Sequence, residues 1–203
     1  MAGRTPKNSA EDWIAAGQRM LVDEGIAGLK VDRLASRLGV SRGGFYHHFG
    51  DRDDSLDRLA AYWAMTCRFL PDAPPPAKPG QASAWLDETI ARLIEADGYD
   101  YRFDLAMREW ARADKRVAWA VERADRDRLE PLQKFFEAIG YGGEQAETRA
   151  RVFYYHQIGY YAIDVRQNIA ERRRNARLYM DILCGEQALL AARSEPRSRA
   201  RAA

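Results

Sequence analysis

A chain of 203 residues with 46% apolar side chains has material for one compact core or two small ones, which excludes wholesale disorder. Thirty-two basic side chains against thirty acidic ones leave a formal net charge of +2, so attraction to nucleic acid through bulk charge is excluded and any such binding has to come from local placement. The two cysteines, Cys67 and Cys184, are too few and too far apart for a disulfide framework, and the polar opening MAGRTPKNSAEDW offers neither signal peptide nor membrane span; a cytoplasmic protein with free thiols and no membrane partner is expected.

The first predicted helix runs from about Ala10 to Glu24, with Ile14, Gly17, Gln18 and Leu21 near one stripe and Trp13 and Met20 widening the apolar side. Ser9, followed three residues later by Asp12, resembles an N-terminal cap, and Gly25 ends the helix. A second, short helix from about Val31 to Leu38 buries Val31, Leu34, Ala35 and Leu38. Gly39 stops it by entering the left-handed region without side-chain strain. Ser41 reads as the cap of a third helix, about Arg42 to Phe49, whose Phe45 and Phe49 plug into the first two. A fourth runs from about Arg52 through Phe69, with Asp51, Asp53 and Asp54 complementing the open N–H groups at its start. The segment PDAPPPAKPG, residues 71–80, cannot continue a helix and reads as the seam between two domains. Beyond it, blocks at about 81–96, 101–113, 115–139, 144–167 and 171–191 all carry helical periodicity, with no alternating strand pattern. Pro131 is expected to kink or divide the third of these, and Gly140, Gly142 and Gly143 to form the turn after it. The arginine-bearing end, 194–203, reads as a flexible tail.

Three short helices with a tight Gly39-Val40-Ser41 turn between the second and third match helix-turn-helix geometry. A short helix of this kind has to stand proud of its support to enter the major groove, about 12 Å wide, with its N-terminal end foremost. With Phe45 and Phe49 turned inward, the outer face is left to Arg42, Gly43, Gly44, His47 and part of Tyr46. Arg42 offers a planar fork to guanine or phosphate. Gly43 and Gly44 permit close approach while lowering helix propensity by up to about 1 kcal/mol each relative to Ala. Arg33 and Arg37 are within reach of backbone phosphates or simply face solvent, and Arg4 and Lys7 read as a basic arm. His47 and His48 are adjacent, point apart on a helix and have no cysteine cluster beside them, so no metal is expected.

On these residues residues 10–57 resemble the DNA-binding domain of the TetR family of bacterial transcriptional regulators: a first helix ending in LVDEGIAGL, then VDRLASRLGVSRGGFYHHF and an Asp-rich start to the next helix. The resemblance implies that Tyr46 and His48 touch phosphates, that Arg42 and Gly44 face the groove, and that residues around Lys30 meet the DNA backbone. Arg52 falls where the family favours lysine. Three positions depart from the pattern. Lys30 replaces a Thr or Ser cap, Gly44 replaces a common Thr, and Ser55 replaces a leucine. The loss at Gly44 leaves Arg42 and His47 as the leading specificity candidates.

A single reading head offers little surface, and specificity usually comes from pairing two on half-sites about 34–36 Å apart. Val152, Tyr155, Gly159, Ala162 and Ile163 on one helix, with Leu178, Ile182, Leu183 and Leu190 on another, are more apolar than one inward face requires and form the expected dimer interface. The resemblance implies the same homodimer, closed by a four-helix bundle. Trp63, Cys67, Trp85, Phe103, Met107, Trp110, Trp119, Phe153 and His156 are the aromatic, sulfur and polar supply for an effector pocket, with Arg108, Tyr155 and Gln157 as further polar candidates.

The fold class expected is all-α: a helix-turn-helix DNA-binding domain over 1–57, a helical effector-binding and dimerisation domain over 58–193, and the tail. The expected function is a sequence-specific regulator that binds double-stranded DNA at an inverted repeat as a homodimer, a repressor released when a small apolar or aromatic effector shifts the fourth helix. A ligand-responsive activator of the same fold is the alternative. An all-α enzyme is the rival from another class. No HExxH, GxSxG, Glu-x-x-His pair or phosphate-cradling glycine loop is present, so no cofactor and no catalytic residue are expected.

Overall fold

The computed structural model describes residues 8–95 and 99–185, and its first helix opens on a Ser9 cap. The Ser9 side chain accepts from the Asp12 N–H at 3.3 Å, and the Asp12 carboxylate accepts from the Ser9 N–H at 2.8 Å, a reciprocal capping box. It opens α1, Ala10–Gly28. Gly25 interrupts α1 where the sequence placed its stop, at φ 68°, a backbone angle costly to any residue with a Cβ.

Helix α2 spans Val31–Leu38, and Gly39 closes it at φ 67°, ψ 32°. Lys30 occupies the N-cap position without a side-chain hydrogen bond, so the cap lost at this position is not replaced. Helix α3 is Arg42–Phe45, four residues where eight were expected. Gly43 and Gly44 leave it too weak to propagate. Winding continues only as a turn, with the N–H groups of His48 and Phe49 both donating to the Phe45 carbonyl at 3.0 Å. Ser41 has the extended backbone of a cap but makes no capping bond.

Helix α4, Arg52–Thr66, is capped by Asp51, which accepts from the Asp54 N–H at 2.8 Å. It stops three residues before the expected Phe69, because Cys67 leaves helical geometry at ψ 74°. Ser55 is buried, and its hydroxyl donates to the Arg52 carbonyl at 2.6 Å, which satisfies the polar group that replaces a leucine.

The later helices are α5 Pro79–Glu95, α6 Tyr101–Ala111, α7 Lys115–Ala138, α8 Gly143–Ala162 and α9 Ile169–Cys184, and no strand occurs among the described residues. Pro79 takes the first turn of α5, where a missing N–H costs nothing. Pro131 does not divide α7, which continues past it, with Leu132, Phe135 and Phe136 completely buried just beyond. Helix α8 ends five residues earlier than expected, and Asp164 beyond it adopts φ 51°. Asn168 and Glu171 form a second capping box, at the head of α9.

The described residues fall into two compact units, one of 8–68 with 100–123 and one of 69–95 and 99 with 124–185. The expected boundary at 57/58 lies inside the unbroken α4, and α6 belongs with the helix-turn-helix segment. The reason is polar as well as apolar. Asp100 caps α6 through Oδ1, takes the Gln18 side chain on Oδ2 at 2.8 Å, and accepts the Cys67 thiol on its carbonyl at 3.2 Å. Fully buried Trp63 of α4 donates from Nε1 to the buried Asp104 of α6 at 3.1 Å. In the second unit, Trp85 stacks near Phe135, Phe69 lies over Tyr154, and the Tyr161 hydroxyl donates to the Leu93 carbonyl at 2.8 Å.

Candidate nucleic-acid interface

The reading segment is held from beneath by three rings. Trp13 of α1 meets Phe45 edge-on at 5.4 Å between centroids, and Phe45 lies 4.8 Å from Phe49; all three are buried. With this side anchored, Arg42, Gly43, Tyr46 and His47 are exposed, Tyr46 to 53%, while His48 is half-buried. Gly44 is also half-buried, and a Cβ there would meet Trp13 at 3.7 Å and Val40 at 3.9 Å. Its missing side chain thus faces the support rather than open solvent, and Gly43 is the glycine with room outward.

The arginines around this surface are not free. Arg42 Nε lies 2.8 Å from Asp32 Oδ1, Arg37 reaches Asp23 at 3.1 Å, and Arg33 pairs with Glu24. Arg52 donates from Nε to the Leu29 carbonyl at 3.0 Å, tying the start of α4 to the exit of α1. Lys30 is exposed. The carboxylates opposite these arginines were missed in sequence. Asp32 and Arg42 sit on different helices across a turn, so no helical periodicity connects them.

In the second unit the proposed dimer residues Val152, Tyr155, Ala162, Ile163, Leu178 and Ile182 are exposed, with Ile163 at 75% and Ile182 at 77%. A Cβ added at Gly159 would meet nothing within 4 Å. Leu183 is half-buried, and Leu190 lies outside the described residues. Large apolar side chains exposed in this way on α8 and α9 are a common mark of an interaction surface.

The effector candidates are dispersed. Trp63, Cys67, Phe103, Met107 and Trp110 are buried in the first unit, as is Trp85 in the second. Trp119 is 58% exposed, with the Arg123 guanidinium 5.7 Å from its ring centroid, so it lines no interior. Phe153 and His156 do line a cleft between α5, α8 and α9, of about 40 Å³, together with Ile90, Tyr179, Met180 and Arg172. The last four were not foreseen. Arg172 caps α5 by donating to the Leu93 and Ile94 carbonyls at 2.9 and 3.1 Å.

Within this cleft the His156 ring is 4.5 Å from that of Tyr179, and Nδ1 faces Gln157 Nε2 at 3.2 Å. Burial holds the imidazole below its usual pKa. The unfolded chain then protonates first as pH falls, so the stability contributed by neutral His156 is complete above about pH 6.5 and declines below it, until the folded form also protonates. Thermal melts between pH 7.5 and 5 should show this slope, and His156→Gln should flatten it. An unchanged slope in the variant would assign the acid sensitivity elsewhere.

Among the described residues no group of His, Cys, Asp and Glu is placed to hold a metal, and no helix is long and apolar enough to cross a membrane.

These features, an all-helical chain with a short exposed helix on an aromatic support, define a helix-turn-helix protein. The family described as bacterial regulatory proteins of the tetR family matches residues 14–59, the helix-turn-helix segment. The transcriptional repressor AcnR of Corynebacterium glutamicum is 37% identical over 59 residues, a stretch covering 29% of this chain and 31% of that protein. A transcriptional regulator from Rhodococcus sp. Rha1 shares the fold along 93% of this chain and 100% of its own, at a TM-score of 0.58 and 23% identity. SmeT, the repressor of the Stenotrophomonas maltophilia multidrug efflux pump SmeDEF, aligns over 92% of this chain and 89% of its own, at a TM-score of 0.50 and 16% identity.

Proposed function

We propose that the protein is a sequence-specific DNA-binding transcriptional repressor, active as a homodimer on an inverted repeat and released by a small apolar or aromatic effector. The observation that carries this reading is the exposed outer side of Arg42, Gly43, Tyr46 and His47 on a buried Trp13–Phe45–Phe49 support, within the segment that matches the family. Arg42 and His47 read base edges. Tyr46, His48 and Lys30 bind phosphate, with Arg52 steadying the domain beside them. Gly43 lets the backbone approach, and Gly44 lies beside Trp13, where a Cβ would find ordinary contact. The exposed apolar residues of α8 and α9 join two copies and so set the spacing of the heads.

The effector enters the second domain beside Phe153 and His156. A cleft of about 40 Å³ is smaller than the several hundred cubic ångströms of a ligand site, so the effector-bound form is a different, wider one. Binding that form more tightly than the DNA-binding form is what shifts the population. The reading is non-enzymatic, and regulation takes place in the cytoplasm.

Selection of bound duplexes from a random pool tests it. The expected product is an inverted repeat whose affinity falls with salt as counterions are released. Arg42→Ala should then lower affinity for the selected site by about 1–3 kcal/mol and relax one base position, with little change on unselected DNA. A pool without enrichment would end the reading.

A further inference from the structure

We infer that Asp32 is a specificity-determining residue that acts through Arg42, an inference resting on the DNA-reading role proposed above. Asp32 lies in the first turn of α2 and Arg42 opens α3, and their 2.8 Å ion pair bridges the solvent side of the turn, with both side chains more than half exposed. An ion pair this exposed contributes little to stability, so holding the fold together does not account for it. It lies on the surface that a duplex would approach.

The pair changes what Arg42 can do. Attraction to phosphate is independent of sequence and grows with unneutralised positive charge. A guanidinium beside a carboxylate loses that net charge but keeps its donors. Held at Nε, it still presents the two Nη groups, the edge that matches guanine O6 and N7. A carboxylate that loses its arginine near DNA faces phosphates with its own charge exposed, so registers in which Arg42 moves away to a phosphate are penalised. The neighbouring pairs act in the same direction. Arg33 and Arg37 of α2 face Glu24 and Asp23, so the described arginines of α2 and α3 each stand against an acid. Asp32 thereby withholds Arg42 from sequence-independent binding and reserves it for a base edge.

The test uses the full chain, the duplex selected by the wild-type protein and a scrambled duplex of the same length, with affinities measured over a salt series. Asp32→Asn should bind the scrambled duplex about 3- to 10-fold more tightly at low salt, and its salt slope should steepen by about one unit. Preference at the base pair read by Arg42 should weaken. Asp32→Glu, which keeps the charge, should retain the wild-type slope. In an Arg42→Ala background, Asp32→Asn relieves the repulsion of a bare carboxylate and so tightens both duplexes alike, but base preference should not change further. Asp32→Ser carries the same comparison if the asparagine variant does not fold. Wild-type base preference in Asp32→Asn, or an equal loss of discrimination between the two duplexes on making Asp32→Asn in the Arg42→Ala background, overturns the inference while leaving DNA binding intact. A wild-type protein that enriches no sequence removes the DNA-reading role and the inference with it.

Discussion

Ile182→Asp is expected to turn the proposed homodimer into a monomer and to weaken binding to the selected inverted repeat by about 100-fold or more. Ile182 is 77% exposed in the isolated chain, so the substitution removes almost no packing within one copy. In a two-fold interface the same side chain occurs twice, and two carboxylates are desolvated for each dimer formed. The loss of affinity follows from linkage. A second head joined to the first binds at an effective concentration that can raise avidity by about 10²–10⁴. Sedimentation and circular dichroism should report a smaller particle with unchanged helix content. Trp119→Asp serves as the comparison, because Trp119 is also a large exposed hydrophobic residue but lies on the part of α7 that belongs to the first unit. It should leave both mass and affinity alone. A dimer that survives Ile182→Asp would place the interface away from this stripe.

Features with local causes were legible in sequence. Ser9 and Asp12, three residues apart, specify a capping box through chemistry contained in one turn, and Gly39 and Asp51 mark helix ends for equally local reasons. The length of α3 was overread because the apolar spacing of Phe45 and Phe49 suggested a continuous helix, whereas two glycines decided the winding. What joins distant parts of the chain was not legible. Gln18 and Asp100, or Trp63 and Asp104, carry no mutual signal in sequence, so α6 could not be assigned to the first unit. The same holds at the candidate site. Arg42 was recognisable by its place after the turn, but its partner Asp32 was not, since only the fold brings them together. Aromatic content was least informative, because a tryptophan in a periodic helix can be fully buried like Trp63 or mostly exposed like Trp119.

Phe45→Ala should abolish DNA binding as completely as any change at the reading surface, for an entirely different reason. Phe45 is completely buried and lies within 5.4 Å, ring to ring, of Trp13, Tyr46 and Phe49. Truncating such a ring costs about 3–5 kcal/mol, a large share of the roughly 5–15 kcal/mol that holds a typical domain together. Helix α3 has only four residues and two glycines, so it has no intrinsic stability with which to keep its shape once that contact is gone. Arg42→Ala, by contrast, removes an exposed ion pair and should leave the melting temperature within a degree or two. Melting and binding measured on both variants separate the roles: Phe45→Ala should lose stability together with selected and unselected DNA, and Arg42→Ala only discrimination. A stable Phe45→Ala protein that still bound its site would mean that Trp13 and Phe49 suffice to present the helix, and the three-ring support would no longer explain how so short a segment is held in position.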